Sequence, residues 1–157
     1  MTHPGKLVTI TADITIAGGG LAGVCAAIAA ARQGRTVSLI QNRPVLGGNS
    51  SSEIRVWTRG STGGGNLFSE EMGILGELKL ANQYKNPEGN PILWDEILLD
   101  AVYQEHAISL FLNTLVVDVA HQDGHIQSLT ALEINSERRF QFLSPVYVDA
   151  TGDGFIA

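Results

Sequence analysis

Three glycines near the N-terminus have the spacing that binds a dinucleotide. Gly18, Gly20 and Gly23 form the pattern Gly-x-Gly-x-x-Gly. The first glycine of such a pattern permits a tight turn, the second lets the backbone approach a pyrophosphate, and the third lets a helix pack on the preceding strand. Free N–H groups at the start of that helix bind phosphate. The pattern therefore predicts a dinucleotide site to which Leu21 and Ala22 also contribute.

The pattern lies between the two elements that it requires. Ala12–Ala17 alternates and contains β-branched residues, which predicts a short strand, and the alanine-rich run Leu21–Gln33 predicts a helix that ends before Gly34. Thr36–Ile40 predicts a second, buried strand. Strand, glycine turn, helix and strand together predict a parallel βαβ unit. A phosphate loop is excluded because no Gly-Lys-Ser/Thr follows the glycines.

The rest of the sequence predicts a loop, two helices and a run of strands. Arg43–Asn66 is rich in Gly and Ser and is interpreted mainly as a loop. Apolar spacing predicts helices over Phe68–Ala81 and Leu93–His106. The predicted fold class is α/β, a Rossmann-like dinucleotide-binding domain with a parallel sheet and a β-meander. The later strands are predicted at Ser109–Leu112, Leu115–His121, His125–Ile134, Arg138–Leu143 and Val146–Ala150.

Gln41 stands at the end of the second predicted strand, where a carboxylate normally accepts hydrogen bonds from ribose hydroxyls. An amide can also bond a hydroxyl, but without charge assistance the bond is only about half as strong. On this interpretation Gln41→Glu should tighten nucleotide binding. An uncharged residue also does not repel a 2′-phosphate, so NADP stays an alternative to NAD or FAD.

Two further segments extend the glycine pattern into a family resemblance. Gln41–Asn49 reads Q-N-R-P-V-L-G-G-N, and Val148–Asp153 reads V-D-A-T-G-D. With Gly18–Gly23, they make the chain similar to FAD-dependent oxidoreductases of the glutathione-reductase-like, two-dinucleotide-binding fold. Within these it most resembles a bacterial group that carries G-G-G-x-A-G and then L-G-G-N-x-S-S-E. The resemblance spans nearly the whole chain and implies a Rossmann-like FAD/NAD(P)-binding domain with FAD as cofactor.

The resemblance also implies roles for particular residues. Arg43 would lie beside the adenosine or the pyrophosphate, and the main chain of Val116 would contact adenine. Gly152 would admit the cofactor, and Asp153 would accept a hydrogen bond from the ribityl chain or bind the pyrophosphate through water. No catalytic residue can be named. The predicted cofactor-binding residues are Gly18, Gly20, Leu21, Ala22, Gly23, Gln41, Asn42, Arg43, Gly47, Gly48, Asn49, Val116, Gly152 and Asp153.

The function implied is that of a flavoprotein oxidoreductase that moves a hydride from an unidentified small substrate through the flavin. On this resemblance residues 1–157 are the N-terminal portion of an incomplete FAD-binding domain, and this piece alone is expected to be inactive. A homo-oligomer or a partner chain would be one way to complete the site. The alternatives are an NAD(P)-binding Rossmann enzyme, a flavoprotein that modifies RNA or forms thiazole, and a non-catalytic FAD-binding fragment or subunit.

Composition sets limits on partners and compartment. The formal charge is −6 and no basic run occurs, which argues against a nucleic-acid surface. No apolar run approaches the roughly 18 residues of a membrane span. The lone Cys25 and the absence of a signal-peptide pattern favour a cytoplasmic protein. The four histidines show no metal-ligand spacing with one another or with Cys25, so no metal site is expected.

Overall fold

The computed structural model describes residues 7–59 and 72–157, which form three layers. The central layer is a parallel sheet, with helices on one face and an antiparallel meander on the other. In chain order, the elements are β1 (Leu7–Thr11), β2 (Ile14–Ala17), α1 (Leu21–Arg32), β3 (Val37–Ile40), α2 (Gly73–Lys85), α3 (Pro91–Tyr103), β4 (Ile108–Phe111), β5 (Thr114–Gln122), β6 (His125–Glu133), β7 (Arg139–Leu143) and β8 (Val146–Asp149).

The parallel sheet has the strand order β4-β3-β2-β8 and confirms the predicted α/β fold. Ile14 is in register with Val37 on one side and with Val146 on the other. All four strands therefore end at the same edge. Because the chain leaves β2 towards β3 and later returns to β8 on the opposite side, the order reverses beside β2. In open α/β sheets, ligands bind at the carboxyl edge beside such a reversal.

The helices bury one face of this sheet. Ile16 of β2 and Leu39 of β3 pack with Val24 of α1 and Leu98 of α3, and all four are at most 1% exposed. Alternate residues of the same strands face the other way, as the two-residue period of a strand requires. In the part of the chain that the structure describes, no helix combines the length and apolar character that crossing a membrane needs.

The meander covers the opposite face. Strands β5, β6 and β7 are antiparallel, and β7 also pairs with β1, which gives a second sheet of order β1-β7-β6-β5. The two sheets meet through aromatic rings: the Phe111 ring packs edge-on against Phe140 at 5.3 Å and against Phe142 at 4.9 Å between centroids. Ala17 and Ile40 are buried in the same cluster. The predicted β-meander is therefore confirmed.

Several element boundaries differ from the prediction. The strand predicted over Ala12–Ala17 begins at Ile14. The chain bends at Asp13, whose carboxylate accepts hydrogen bonds from both the N–H and the hydroxyl of Thr36. Strand β1 before it was not predicted at all.

The two later helices also start and end at other residues than predicted. Helix α3 begins at Pro91, two residues before the predicted start, because the Asn90 side chain caps the Ile92 N–H and proline suits the first helical turn. The predicted helix Phe68–Ala81 is observed as Gly73–Lys85, and its residues 68–71 lie outside the described part.

Candidate cofactor site

A cleft of about 860 Å³ opens at the carboxyl edge of the parallel sheet. Its walls are the glycine turn after β2, the segments after β3 and β8, and the start of β5. Every predicted cofactor-binding residue except Gly23 lines it. These lining residues are Gly18, Gly20, Leu21, Ala22, Gln41, Asn42, Arg43, Gly47, Gly48, Asn49, Val116, Gly152 and Asp153.

The glycine turn presents bare backbone to this cleft. Gly18 has a φ of +110°, and a Cβ built on it would lie 2.1 Å from the Ala150 carbonyl oxygen at the end of β8. Gly20 has an ordinary extended backbone, with φ −65° and ψ 176°, and a Cβ there would meet no atom within 4 Å. A side chain at Gly20 would therefore occupy only cleft space, which is the space that a phosphate needs.

Gly23 is the predicted residue that the structure keeps away from the cleft. A Cβ on it would lie 1.9 Å from the Gly18 carbonyl oxygen and 3.3 Å from the Ala150 Cβ. The third glycine therefore lets α1 sit directly against the turn and the end of β8. The prediction of close helix packing agrees with this geometry, whereas contact between Gly23 and a ligand has no support in it.

The second glycine segment runs beside the first. The Gly47 N–H donates to the Gly19 carbonyl at 2.8 Å, and Gly20 and Gly47 form an isolated parallel bridge. A Cβ on Gly48 would lie 3.2 Å from the Gly20 Cα. Two stretches of backbone without side chains therefore lie in contact along one wall of the cleft.

Gln41 follows β3 and is only 5% exposed. Its Oε1 accepts a hydrogen bond from the Gly19 N–H at 3.0 Å, and its Nε2 donates to the Val45 carbonyl at 2.9 Å. One Oε1 lone pair and one Nε2 hydrogen remain for a ligand. The sequence indicated the position of Gln41 but not these two internal bonds.

Helix α3 supports the second glycine segment from behind. The Trp94 indole N–H donates to the Ser50 hydroxyl at 3.1 Å, and that hydroxyl donates to the Gly47 carbonyl at 3.0 Å. The buried Asp95 carboxylate accepts from the Ser52 N–H at 2.9 Å. Apolar spacing predicted a helix here, and Trp94 belongs to the core, but the spacing gave no signal of these polar contacts.

The turn after β8 is organised by a carboxylate that the sequence did not single out. Asp149 accepts hydrogen bonds from the Thr151 N–H at 2.9 Å, the Thr151 hydroxyl at 2.7 Å and the Ile156 N–H at 2.9 Å. Partial burial opposes ionisation of Asp149, but these bonds outweigh it and hold the pKa of the carboxyl below its ordinary value. An ionised Asp149 thereby fixes the turn that presents Gly152 and Asp153 to the cleft.

The start of β5 forms the wall opposite the glycine turn. β5 is the outermost strand of its sheet, and its pairing with β6 shifts register between Val116 and Asp118. Thr114, Leu115 and Val117 line the cleft beside the predicted Val116. A bulge leaves one residue out of the ladder, and the register of β5 with β6 skips Val117 at this shift.

The structure adds lining residues beyond those predicted. Val56, Trp57 and Thr58 also line the cleft, and Trp57 is 67% exposed. The charged residues of the lining are Arg43, which is paired with Glu53 at 3.0 Å, and Asp153.

These features fit the adenosine diphosphate part of FAD. A Cβ at Gly20 would enter the cleft, the start of α1 supplies N–H groups beside it, and the bulged strand lies on the far wall. Among the residues described, no three His, Cys, Asp or Glu side chains are grouped as metal ligands would be.

Comparisons with solved structures show the same fold in several enzymes. L-proline dehydrogenase from P. horikoshii is 21% identical, with a TM-score of 0.57, over 95% of this chain and 24% of its own. A mutated FrdA of E. coli quinol fumarate reductase is 18% identical, with a TM-score of 0.60, over 92% of this chain and 33% of its own. The myxobacterial FAD-dependent halogenase CndH is 16% identical, with a TM-score of 0.60, over 90% of this chain and 37% of its own.

The chain thus spans well under half the length of these structures, and no curated protein sequence matches it. The sequence profile of one family, described as FAD dependent oxidoreductase, matches residues 13–157. That match includes the glycine turn, the Gln41–Asn49 segment and the turn after β8, which are the walls of the cleft. The chain belongs to the FAD dependent oxidoreductase family, whose cofactor is FAD.

Proposed function

We propose that this chain holds FAD for an oxidoreductase that removes a hydride from a small organic substrate. The observation that carries the proposal is the bare backbone at Gly20 and Gly48, which borders a cleft at the carboxyl edge of the parallel sheet. The family match to residues 13–157 supports FAD over NAD or NADP as the dinucleotide.

Different residues of the cleft bind different parts of the cofactor. The start of α1 beyond Gly20 binds the pyrophosphate through backbone N–H groups, and the bulged segment at Val116 binds adenine. Asp153 accepts a hydrogen bond from the ribityl chain. Val56 and Trp57, which also line the cleft, would exclude water from part of the bound cofactor. When bound, FAD supplies a ring that accepts a hydride, and the protein contributes position and electrostatics.

Residues 1–157 act, on this proposal, as the N-terminal portion of an FAD-binding domain, and the substrate pocket is built mainly by other residues. The support is that the chain covers only 24% to 37% of the three solved structures named above. Further residues of the site would come from the same polypeptide or from a partner chain. The chain alone is therefore expected to bind FAD but not to turn over substrate.

The proposal is tested by titrating the 157-residue chain with FAD and following flavin fluorescence, with NAD and NADP in parallel. Saturable binding of FAD in preference to both nicotinamide dinucleotides supports it. Gly20→Val should raise the dissociation constant at least about a hundredfold, because the branched side chain fills the phosphate space.

The matched control is Ala29→Val, which places the same side chain on α1 away from the cleft lining. This variant should bind FAD as the parent does, and both variants should keep the parent's far-UV circular dichroism. Equal FAD binding by Gly20→Val and the parent would contradict the proposed site.

A further inference from the structure

Gln41 joins three parts of the cleft wall through one side chain. It follows β3, its oxygen holds the turn after β2 at Gly19, and its nitrogen holds the segment leading to Gly47 at Val45. The two bonded segments also contact each other, since Gly47 donates to the Gly19 carbonyl. The Gln41 amide therefore closes a small ring of hydrogen bonds beneath the pyrophosphate wall.

The geometry points to Gln41 as a positioning residue that aligns the two glycine segments, rather than as a substitute for a ribose-binding carboxylate. The effect of Gln41 on binding rests on the proposed FAD site. The two hydrogen bonds that Gln41 makes to Gly19 and Val45, here called the clamp, are present in the ligand-free protein. This positioning role opposes the sequence-based expectation that Gln41→Glu tightens binding by restoring a charged acceptor, because that expectation did not include the two internal hydrogen bonds of the amide.

A carboxylate cannot reproduce both bonds. It still accepts from Gly19, but its second oxygen faces the Val45 carbonyl oxygen at the place where Nε2 now donates over 2.9 Å. Two acceptors at that distance repel, and the buried carbonyl loses its partner. Protonation of the introduced carboxyl restores a donor towards Val45 while the other oxygen still accepts from Gly19.

The introduced carboxyl should therefore have a pKa raised above its ordinary value of about 4.3. Its destabilising effect is absent below that ordinary value, grows as the pH rises towards the raised pKa, and is complete above it. The charged groups that line the cleft around this position are Arg43, already paired with Glu53, and Asp153. These groups are present in both the parent and the variant, so differences between the two proteins report the introduced carboxyl.

The experiment compares the parent, Gln41→Glu and Gln41→Met at pH 5.5 and pH 8, measuring the melting temperature without ligand and the dissociation constant for FAD. Gln41→Glu should melt about 4 °C below the parent at pH 8 and closer to it at pH 5.5. Its FAD affinity at pH 8 should fall about tenfold. Gln41→Met, which has neither hydrogen bond, should show a loss that is the same at both pH values.

Each outcome either supports or contradicts the positioning role of Gln41. Tighter FAD binding by Gln41→Glu at pH 8 with an unchanged melting temperature would overturn the clamp and restore the ribose role. Parent-like stability and affinity of Gln41→Met would overturn it too, even if Gln41→Glu does not fold. If the parent binds no FAD, the proposed function fails, while the pH-dependent melting of the ligand-free variants still decides whether Gln41 positions the two segments.

Discussion

At the scale of single residues, the three glycines of the turn meet three different physical demands. Gly18 takes a backbone conformation that side chains disfavour, Gly20 faces open space, and Gly23 touches the backbone of the turn itself. Only the second of these concerns the ligand directly. Substitutions in one short motif should therefore separate folding from binding.

The clearest separation is between Gly23→Ala and Gly20→Ala. At Gly23 the added methyl would overlap the Gly18 carbonyl oxygen, so α1 must shift, and we expect a loss of roughly 1–3 kcal/mol in the free energy of unfolding. At Gly20 the same methyl meets no protein atom, so stability should change much less while FAD binding weakens. Urea denaturation and FAD titration of both variants measure the two effects. The opposite ranking in stability would contradict the assignment of roles.

At the scale of elements, α3 connects the hydrophobic core to the cleft. Its apolar side supplies Leu98 to the core, while Trp94 and Asp95 bond the segment that contains Gly47. A Cβ on Gly47 would lie 2.7 Å from a Leu98 methyl group, so the segment rests directly on the helix. The position of the second glycine segment therefore depends on a helix that forms almost none of the cleft surface.

Trp94→Phe tests this dependence. The phenyl ring keeps most of the packing but loses the N–H that bonds Ser50, a net contribution of about 0.5–1.5 kcal/mol. We expect FAD affinity to fall several-fold with a small change in melting temperature. Tyr103→Phe, which removes a polar group from the exposed end of the same helix, is the control and should leave both quantities unchanged. An identical FAD affinity in Trp94→Phe and the parent would show that the contact does not position the segment.

The sequence prediction was accurate for elements that depend on interactions between residues close in sequence, and it failed for features that depend on distant residues. The βαβ unit was predicted well: the expected helix Leu21–Gln33 is observed as Leu21–Arg32, and the strand expected at Thr36–Ile40 as Val37–Ile40. Glycine spacing and side-chain period fix these elements within a few residues. Strand β1 was missed, because its place depends on β7 at the far end of the chain. The bonds of Gln41 were missed for a similar reason, since they require the folded loop after β3.

At the scale of the whole molecule, the helical layer and the meander both pack on the central parallel sheet. We therefore expect the three layers to unfold together. One core lies between the sheet and the helices, and the other lies between the sheet and the meander. Ala17 and Ile16 are neighbours in β2 yet belong to different cores, so disruption of either core disturbs the same strand. The cleft, which draws walls from all three layers, depends on both.

Phe142→Ala tests this cooperativity. Phe142 is fully buried in the meander core, and its truncation should lower the free energy of unfolding by about 3–5 kcal/mol. Tryptophan fluorescence, in which Trp94 reports the helical layer, and far-UV circular dichroism should give one coincident transition at a lower denaturant concentration. Phe155→Ala, at an exposed residue, should change stability by no more than about 0.5 kcal/mol. Separate transitions for the two signals would show that the layers unfold independently.

The pairing of β1 with β7 has a consequence for how the protein is made. Leu7–Thr11 emerges from the ribosome before the dinucleotide-binding unit, but its hydrogen-bonding partner Arg139–Leu143 is synthesised only after nearly all the other elements. During that interval the segment has unpaired backbone N–H and C=O groups, and Ile10, which is partly buried in the folded protein, is exposed. Both features promote association between nascent chains. Assembly of the outer sheet is therefore delayed by the order of translation, while the cofactor turn can form much earlier.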